Sequence, residues 1–503
     1  MNGLDLRTPT GVVLALIPEL VLVATSLVVL LLNGFRHKTA RDSKLAGWVS
    51  LAGIVASLAA LGALWQSGAA PIGAPNMVSL DGYRFAALFL ILLASAGTVL
   101  ISIDYLEREN LIAPEYYSLL LMATSGMMFL AGAEDLIVLF LGLEVMSVPV
   151  YVLAAFDRKN VYSAEAGFKY FLVGALASAF LLYGIGLVYG ATGTTALTAI
   201  GESVSRHGIG SMAGLGIGLM LIGLGFKVAA VPFHMWAPDV YDGAPTPITA
   251  YMATGVKAAG FLALVRVLLV GFPTAVDTWQ PLLGALAAAT MLLGNLVALA
   301  QRSLKRMLAY SSIAHAGYLL AAVWSGSQAG ASATLLYLTA YVLTSIAAFA
   351  ILAVLGRGGE RDVTLDSIAG LGQRRPALAF GLAVTMFSLL GFPGTFGFIG
   401  KWAILSAITA EHHQYLAVLL VITSLVSAGY YLPVVRAIYM KPPLNAEHHA
   451  GAVLPAAARW TVAGCIALVL IFGILPRPVI DGAERSARSF AGNVLDRVAG
   501  PGR

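Results

Sequence analysis

A small set of ionisable side chains lies inside long apolar runs of this 503-residue sequence, where a charge is unfavourable. Each lysine or glutamate at bilayer depth opposes insertion by about 2.5–3.5 kcal/mol, so function is the default explanation for its presence. Burial disfavours the charged form of a lysine, whereas a nearby carboxylate favours it. Such groups could therefore relay protons without a metal or an organic cofactor. They are Glu19, Glu144, Lys169, Lys227, Lys257, Arg266 and Lys401, together with His234 and His315.

The stretch GFKVAAVPFHMWAPDVYDG, residues 225–243, combines Lys227 and His234 with a helix breaker, Pro232. A proline inside a helix removes one backbone hydrogen bond and frees the carbonyl four residues earlier, here that of Val228. A broken helix is tolerated at membrane depth only where protein or water satisfies the freed groups. We therefore expect a titratable amine beside a hydrated break.

The stretch GFPGTFGFIGKW, residues 391–402, repeats this combination with Pro393, several glycines and Lys401. Lys401 follows Pro393 in the chain, whereas Lys227 precedes Pro232, so the two stretches are similar without being identical. Two interrupted helices in the two halves of a chain are typical of the working site of a transporter.

Glu144, in FLGLEVMSVPVYVL, lies near the centre of an apolar run, and Lys169, in AEAGFKYFLVGA, lies in the next run. We expect these two side chains to pair, because a carboxylate and an ammonium each favour the charged form of the other. A lysine that gains or loses this partner would change its protonation state. A static structural ion pair is the alternative interpretation.

Other ionisable residues in the set also have simpler interpretations. His234 and His315 could be capping or packed histidines. Glu19 could be an interfacial residue near the end of the first apolar run, and Arg266 could extend its charged end to the membrane surface.

The composition identifies the solvent as a membrane. Hydrophobic residues make up 59% of the chain and charged residues 11%, with a mean hydropathy of +0.86. Soluble domains carry about 25% charged residues, so a soluble protein is excluded. The net charge of +5 comes from basic residues scattered singly between apolar runs, and we predict no nucleic-acid partner because they form no continuous patch.

Cofactor sites held by this chain are not expected. The single cysteine, Cys465, excludes an intrachain disulfide and a cluster held by four thiolates. The run GLGIGLM, residues 214–220, lacks the context of a dinucleotide site and is interpreted as close helix packing. Two adjacent histidine pairs lack the spacing of metal ligands, so no metal site is predicted: His412 with His413, and His448 with His449.

A membrane span needs about 20 apolar residues, and the chain offers fourteen candidates. They are residues 11–33, 45–65, 83–105, 116–133, 135–156, 163–190, 211–236, 248–271, 279–300, 308–324, 331–355, 378–410, 415–440 and 456–476. The two breaks fall in the seventh and twelfth spans. Because these lie five spans apart, we expect two inverted five-helix repeats. We predict one membrane domain over 1–503, made of three N-terminal helices (1–110), the repeats 116–271 and 279–440, and a last helix with its tail (456–503).

An even number of spans puts both termini on one side of the membrane. Lysines and arginines concentrate in the odd-numbered loops, and such an excess marks the cytoplasmic side. Both termini are therefore expected to face away from the cytoplasm. The arginine-rich C-terminal tail goes against this rule and is interpreted as a segment that lies on the surface.

Five motifs resemble the antiporter-like membrane subunits of NADH-quinone oxidoreductase, respiratory complex I, a family that includes subunits of Mrp-type cation/proton antiporters. The resemblance covers roughly residues 80–440, and within the family it is to the subunit N branch. It implies fourteen helices, two inverted five-helix repeats and discontinuous helices 7 and 12. We expect a bacterial inner membrane, with both termini on the periplasmic side as the loop charges predict. The motifs are FLGLEVMSVPVYVL, AEAGFKYFLVGALASAFLLYG, FKVAAVPFHMWAPDVYDGAPTPITAYMATGVKAAGF, QRSLKRMLAYSSIAHAGY and GFPGTFGFIGKW.

The resemblance also implies a proton relay and its setting. NADH, FMN, the iron–sulfur clusters and the quinone site would reside on other subunits, with no cofactor on this chain. Its partners would be an antiporter-like neighbour, small membrane subunits and the lipid bilayer. The relay residues are Glu144 on helix 5, Lys169 on helix 6, Lys227 on broken helix 7, His234 and Lys257 as polar links, and Lys401 on helix 12.

The leading hypothesis is a proton-translocating subunit, driven by NADH-to-quinone electron transfer on other subunits. The first alternative is an Mrp-type subunit that exchanges cations for protons. The second is a structural subunit whose buried charges pack against its partners.

Overall fold

The computed structural model describes residues 4–6, 8–35, 39–68, 71–72, 77–356, 363–411, 414–442 and 455–498. These residues are mainly helical, with one short parallel pair formed by β1 (Leu4–Asp5) and β2 (Pro71–Ile72). The first ten helices are α1 (Pro9–Ala15), α2 (Ile17–Phe35), α3 (Ala40–Gln66), α4 (Gly82–Arg108), α5 (Glu115–Gly132), α6 (Leu136–Ala154), α7 (Val161–Thr192), α8 (Leu197–His207), α9 (Ser211–Lys227) and α10 (Ala237–Gly243).

The remaining helices include two π-helical turns, Met252–Val256 before α12 and Val267–Gly271 after it. They are α11 (Thr246–Tyr251), α12 (Lys257–Arg266), α13 (Val276–Ala298), α14 (Leu304–Trp324), α15 (Gln328–Leu355), α16 (Leu371–Arg374), α17 (Pro376–Leu390), α18 (Phe396–Ala410), α19 (Gln414–Met440), α20 (Ala456–Ile474) and α21 (Arg477–Val498).

Within the described residues, eleven helical segments are long and apolar enough to cross a membrane. Three shorter apolar helices, α9, α17 and α18, belong to the two interrupted segments. The expected all-α, multi-pass membrane fold is therefore confirmed, with interruptions in both stretches where the sequence predicts them. The count of fourteen spans, the inverted relation of the two repeats and the domain limits stay predictions.

Small residues set the closest helix contacts. A Cβ at Gly126 of α5 would lie 2.3 Å from the backbone nitrogen of Met146 on α6. Gly184 of α7 and Gly216 of α9 face each other, and a Cβ on either would lie within 3 Å of the other's carbonyl oxygen. Such contacts let helix backbones approach closely in a membrane, and within residues 214–220 Gly216 makes one.

Three segments form the centre of the fold. In the most apolar 18-residue stretch of Thr246–Gly271, of α14 and of α15, 94% of the residues are buried, against 28% in Ile17–Gly34 near the N-terminus. The central segments carry Lys257, His315 and several buried tyrosines, so their polar groups have protein on every side.

Candidate functional site

The first interrupted helix stops at Lys227, five residues before Pro232. The chain resumes as α10 at Ala237, and the Val231–Pro232 peptide bond is cis. Backbone groups at the break have partners from the fold: the Ala230 amide donates to the Gly225 carbonyl at 2.8 Å, and Val231 donates to Thr290 Oγ1 at 2.9 Å. The break is thus wider than the single freed carbonyl predicted for Val228, because the helix has already ended there.

Lys227 lies buried in an aromatic cage. Its Nζ donates to Tyr151 Oη at 3.2 Å and lies 5.0 and 5.3 Å from the ring centroids of Tyr151 and Tyr170. A cation over the face of an aromatic ring is attracted by the ring quadrupole. The Glu144 carboxylate also acts electrostatically on this amine. Lys227 is therefore held by rings and a neutral hydroxyl, with one negative charge nearby.

Glu144 and Lys169 do not pair, contrary to the prediction from sequence. Glu144 Oε1 accepts a hydrogen bond of 2.5 Å from Ser178 Oγ on α7, whereas Lys169 Nζ binds Glu165 at 2.6 Å and Asp239 at 2.9 Å. The cause is the antiparallel register of α6 and α7, which sets Glu144 opposite Ser178. Lys169 precedes Ser178 by nine residues, about 13.5 Å along the helix axis.

Lys257 follows directly on a π-helical turn, a feature often found at functional sites. Its Nζ donates to the Ser312 carbonyl at 2.5 Å and to the Ser312 hydroxyl. The Tyr341 ring centroid lies 5.6 Å away. The α12 helix also packs against Lys227, since a Cβ at Gly260 would lie 3.7 Å from the Lys227 Cβ. Neighbouring elements thus place these two lysines in one polar region.

His315 continues this polar region on α14. Its Nδ1 bonds to Tyr337 Oη and its Nε2 to Tyr431 Oη at 3.0 Å. The charges of Lys257 and Lys401 both act on it. The sequence predicts His315 as an ionisable residue inside a span, but it is not among the predicted relay residues. Its tyrosine partners lie on α15 and α19, and no local pattern predicts that these helices meet there.

Lys401 belongs to α18 but binds the end of α17. Its Nζ donates to the Leu390 carbonyl at 2.8 Å and lies 4.8 Å from the Tyr318 ring centroid. Leu390 is the last residue of α17, and Gly391 caps it with φ +83°. A cation at a helix C-terminus complements the helix dipole. The lysine therefore closes the second interruption.

His234 lies in the first break, half-buried, and its Nδ1 is buried without a hydrogen-bond partner. Its expected role as a polar link stays a prediction. The two histidine pairs, 412–413 and 448–449, lie outside the described residues. In the described part of the chain, no group of three or more His, Cys, Asp or Glu side chains could hold a metal ion.

Two further charges, Glu19 and Arg266, form buried ion pairs. The interpretation of Arg266 as extended to the surface is wrong, because its guanidinium is buried, and the interfacial placement of Glu19 stays a prediction. Glu19 Oε1 accepts a hydrogen bond of 2.7 Å from Arg84 Nη2. Arg266 donates to both oxygens of Asp81, at 2.8 and 2.9 Å. Asp81 and Arg84 lie at the start of α4. Hydropathy assigns this position to the end of a span, where charges are usually exposed, but tertiary packing buries both side chains.

Asp81 lies just outside the α4 span, at its N-cap. Burial works against its ionisation, but Arg266 holds the pKa of its carboxyl below the usual 3.8. The pair is therefore charged on both sides at neutral pH, and it fixes α12 to the beginning of α4.

Comparisons with known proteins agree with this architecture. A family model described as "NADH:quinone oxidoreductase/Mrp antiporter, TM" matches residues 133–427. A protein of Trichlorobacter lovleyi named NADH-quinone oxidoreductase subunit N is 43% identical over 475 residues, which cover 94% of this chain and 96% of that protein. Its namesake from Gemmatimonas aurantiaca is 43% identical over 497 residues, which cover 96% and 95%.

Solved structures give the same result. A chain of respiratory complex I from Thermus thermophilus has a TM-score of 0.78 and 37% identity, covering 92% of this chain and 98% of that chain. A chain of the Mrp complex from Dietzia sp. has a TM-score of 0.83 at 20% identity, covering 96% and 98%. At that identity the second match shows a common fold.

Proposed function

Because this chain belongs to the family of NADH:quinone oxidoreductase and Mrp antiporter membrane subunits, in the branch whose members are named NADH-quinone oxidoreductase subunit N, we propose that it moves protons along its buried lysines. It is a membrane subunit of the NADH-quinone oxidoreductase translocase and associates with other membrane subunits of complex I. The proposal concerns how its residues carry out the proton step.

One observation carries the proposal: in the described part of the chain, three buried lysines have neutral partners and no ion pair. Lys227 donates to a tyrosine hydroxyl, Lys257 to Ser312 and Lys401 to a helix-end carbonyl. A buried lysine without a fixed counterion can release its proton and leave no unpaired carboxylate behind. Its neutral amine still has hydrogen-bonding partners. These three positions are therefore suited to gaining and losing protons.

The remaining groups control or extend this row. Glu144 is the acid whose carboxylate acts on Lys227. His315, bound to two tyrosines, joins the region of Lys257 to that of Lys401. His234, beside the first break, is the candidate link to water. The proposed relay thus consists of Glu144, Lys227, His234, Lys257, His315 and Lys401, with Lys169 acting from outside the row.

The wider setting is also proposed. FMN, the iron–sulfur clusters and the quinone site belong to other subunits, in keeping with a single cysteine here. The chain spans a bacterial inner membrane with both termini periplasmic, which the concentration of basic residues in odd-numbered loops supports. The helix α21 packs against the start of α4, where Ser489 Oγ accepts a hydrogen bond from the Gly82 amide at 2.8 Å. This packing supports a C-terminal helix that lies on the proposed periplasmic surface.

The test is substitution of Lys227→Ala and Glu144→Ala, each in the whole complex in membrane vesicles. We expect lower NADH-driven quinone reduction and lower proton pumping with assembly preserved, because both changes alter the charge balance of the cage. Lys159→Ala, an exposed loop lysine, is the matched control. Normal coupled activity in both variants would make these charges structural. Isolation of the chain with cation/proton exchange and no dehydrogenase would favour the Mrp alternative.

A further inference from the structure

The short helix α10, the second half of the first interrupted helix, is held by charges from two neighbouring helices. Asp239 Oδ2 accepts from Lys169 Nζ on α7 at 2.9 Å, and Asp239 Oδ1 accepts from Arg306 Nη1 on α14 at 3.0 Å. Each carboxylate oxygen thus binds a different helix. We call these three residues, Lys169, Asp239 and Arg306, the α10 clamp.

Further contacts fix the far end of α10. A Cβ at Gly243 would lie 2.5 Å from the Tyr162 carbonyl of α7, so the two backbones touch there. Lys305 Nζ donates to the Ala244 carbonyl at 2.6 Å. Because these contacts fix the far end of α10, the α10 clamp sets the position of the beginning of this helix between α7 and α14.

The beginning of α10 forms part of the Lys227 cage. Trp236, directly before α10, stacks on Tyr170 with ring centroids 4.2 Å apart and planes at 8°. Its Nε1 donates to the Phe226 carbonyl at 3.1 Å. Tyr170 and Phe226 are two of the rings around Lys227 Nζ, at 5.3 and 5.5 Å. A shift of α10 would therefore move the walls of this cage.

Lys169 does not act on the cage through Glu144, because Glu144 binds Ser178 and Lys169 binds Glu165 and Asp239. It lies about 13.5 Å along α7 from Ser178, the partner of Glu144. Its own partners, Glu165 and Asp239, face away from Glu144 along the helix. Its position next to Tyr170 in the chain links the clamp to the cage from the α7 side as well.

We infer that Lys169 is a positioning residue of the relay: together with Arg306 it holds Asp239, and through α10 it sets the aromatic cage around Lys227. This inference rests on the proposed function. It adds Asp239 and Arg306 to the residues that the proton step requires, and it separates Lys169 from Glu144.

Double-mutant cycles in the whole complex test the inference, with NADH-driven quinone reduction and proton pumping as readouts. We expect Lys169→Met and Asp239→Asn each to lower coupled turnover by about two- to thirtyfold, the range for changes along a coupling network. The double variant should be no worse than the more severe single one, because either change opens the clamp. Lys169→Met combined with Glu144→Gln should instead multiply the two losses, as independent sites do.

Matched variants separate positioning from general damage. Glu165→Gln removes a carboxylate from Lys169 without releasing Asp239, and should keep turnover near that of the parent complex. Lys169→Arg keeps the charge and should restore most of the turnover lost in Lys169→Met. Lys169→Gln runs in parallel, so that poor assembly of one variant leaves a second cycle.

The opposite pattern would overturn the inference: additive losses for Lys169 with Asp239, and a shared loss for Lys169 with Glu144. A loss in Glu165→Gln equal to that in Asp239→Asn would also overturn it. Failure of the proposed function is distinguishable, because it would leave Lys227→Ala with normal coupled activity whatever the cycles show.

Discussion

Gly391 and Gly394 offer a paired test of how the second interruption positions Lys401. Both glycines lie in the turn between α17 and α18 with positive φ, +83° and +89°. An alanine in the left-handed region is strained by about 1–2 kcal/mol. A Cβ at Gly391 would in addition lie 2.8 Å from Lys401 Cδ, whereas a Cβ at Gly394 meets nothing within 4 Å. The two substitutions therefore share the backbone strain and differ in their effect on the lysine.

The size of that difference follows from the geometry. Ordinary contact begins at 3.4 Å, so Lys401 must shift by about 0.6 Å in Gly391→Ala. Its 2.8 Å hydrogen bond to the Leu390 carbonyl would then lengthen beyond the usual limit of about 3.2 Å. A hydrogen bond from a charged donor contributes about 1.5–3 kcal/mol. Gly391→Ala should thus weaken the hold on Lys401 by up to this amount, and Gly394→Ala should not.

The assay measures proton pumping and NADH-driven quinone reduction by each variant complex in vesicles, with thermal stability of the complex recorded alongside. We expect a similar small loss of stability in both variants and a loss of pumping in Gly391→Ala alone. Equal pumping in the two variants, with both assembled, would refute the reasoning that Lys401 depends on its contact with the α17 end.

Two further predictions address the tyrosine network and the buried ion pair. Tyr431→Phe removes the hydroxyl that bonds His315 Nε2 and should lower pumping by about two- to tenfold, the equivalent of one hydrogen bond of 0.5–1.5 kcal/mol. Tyr251→Phe is the control, because it removes a buried hydroxyl that donates to the Leu120 carbonyl, and equal losses would contradict a role for His315. Arg266→Met leaves Asp81 buried without its bidentate partner and should destabilise the complex by about 3–5 kcal/mol, with partial recovery when Asp81→Asn is added; no recovery in thermal unfolding would contradict the pairing. Because Arg266 holds the pKa of Asp81 below 3.8, the pair's contribution is present above the ordinary pKa of aspartate and is lost only as the pH falls through the lower folded-state pKa.

Local sequence signals were sufficient for the interruptions and for the buried lysines. Pro232, Pro393 and the neighbouring glycines act on the backbone within a few residues, so the breaks could be placed from the sequence. Hydropathy placed Lys227, Lys257 and Lys401 inside spans, and all three are buried. Helix breaks and burial in the membrane depend on short stretches of chain and on their hydrophobicity, and both can be read from the sequence.

The partners of the charges could not be predicted in the same way. Lys169 binds Asp239, seventy residues away, and Glu19 binds Arg84 across sixty-five residues. The choice between Glu144 and Asp239 as the partner of Lys169 depends on the register of α6 against α7 and on the path of the break. Hydropathy contains neither of these quantities. The clamp residues Asp239 and Arg306 were missed because each lies near a span end, where a charge needs no explanation.

Five buried cations in the described part of the chain illustrate two arrangements, in which the residue type matches the partner. Arg84 and Arg266 are paired with carboxylates, and a guanidinium suits such sites because it stays charged and donates in a fixed bidentate geometry. Lys227, Lys257 and Lys401 have neutral oxygen partners, and an amine is the group that can lose its proton there. A static structural role would favour the first arrangement for every buried charge, since an unpaired ammonium is the less stable choice in a low-dielectric interior. The neutral partners of Lys227, Lys257 and Lys401 are therefore what a proton relay requires and what a purely structural subunit has no reason to maintain.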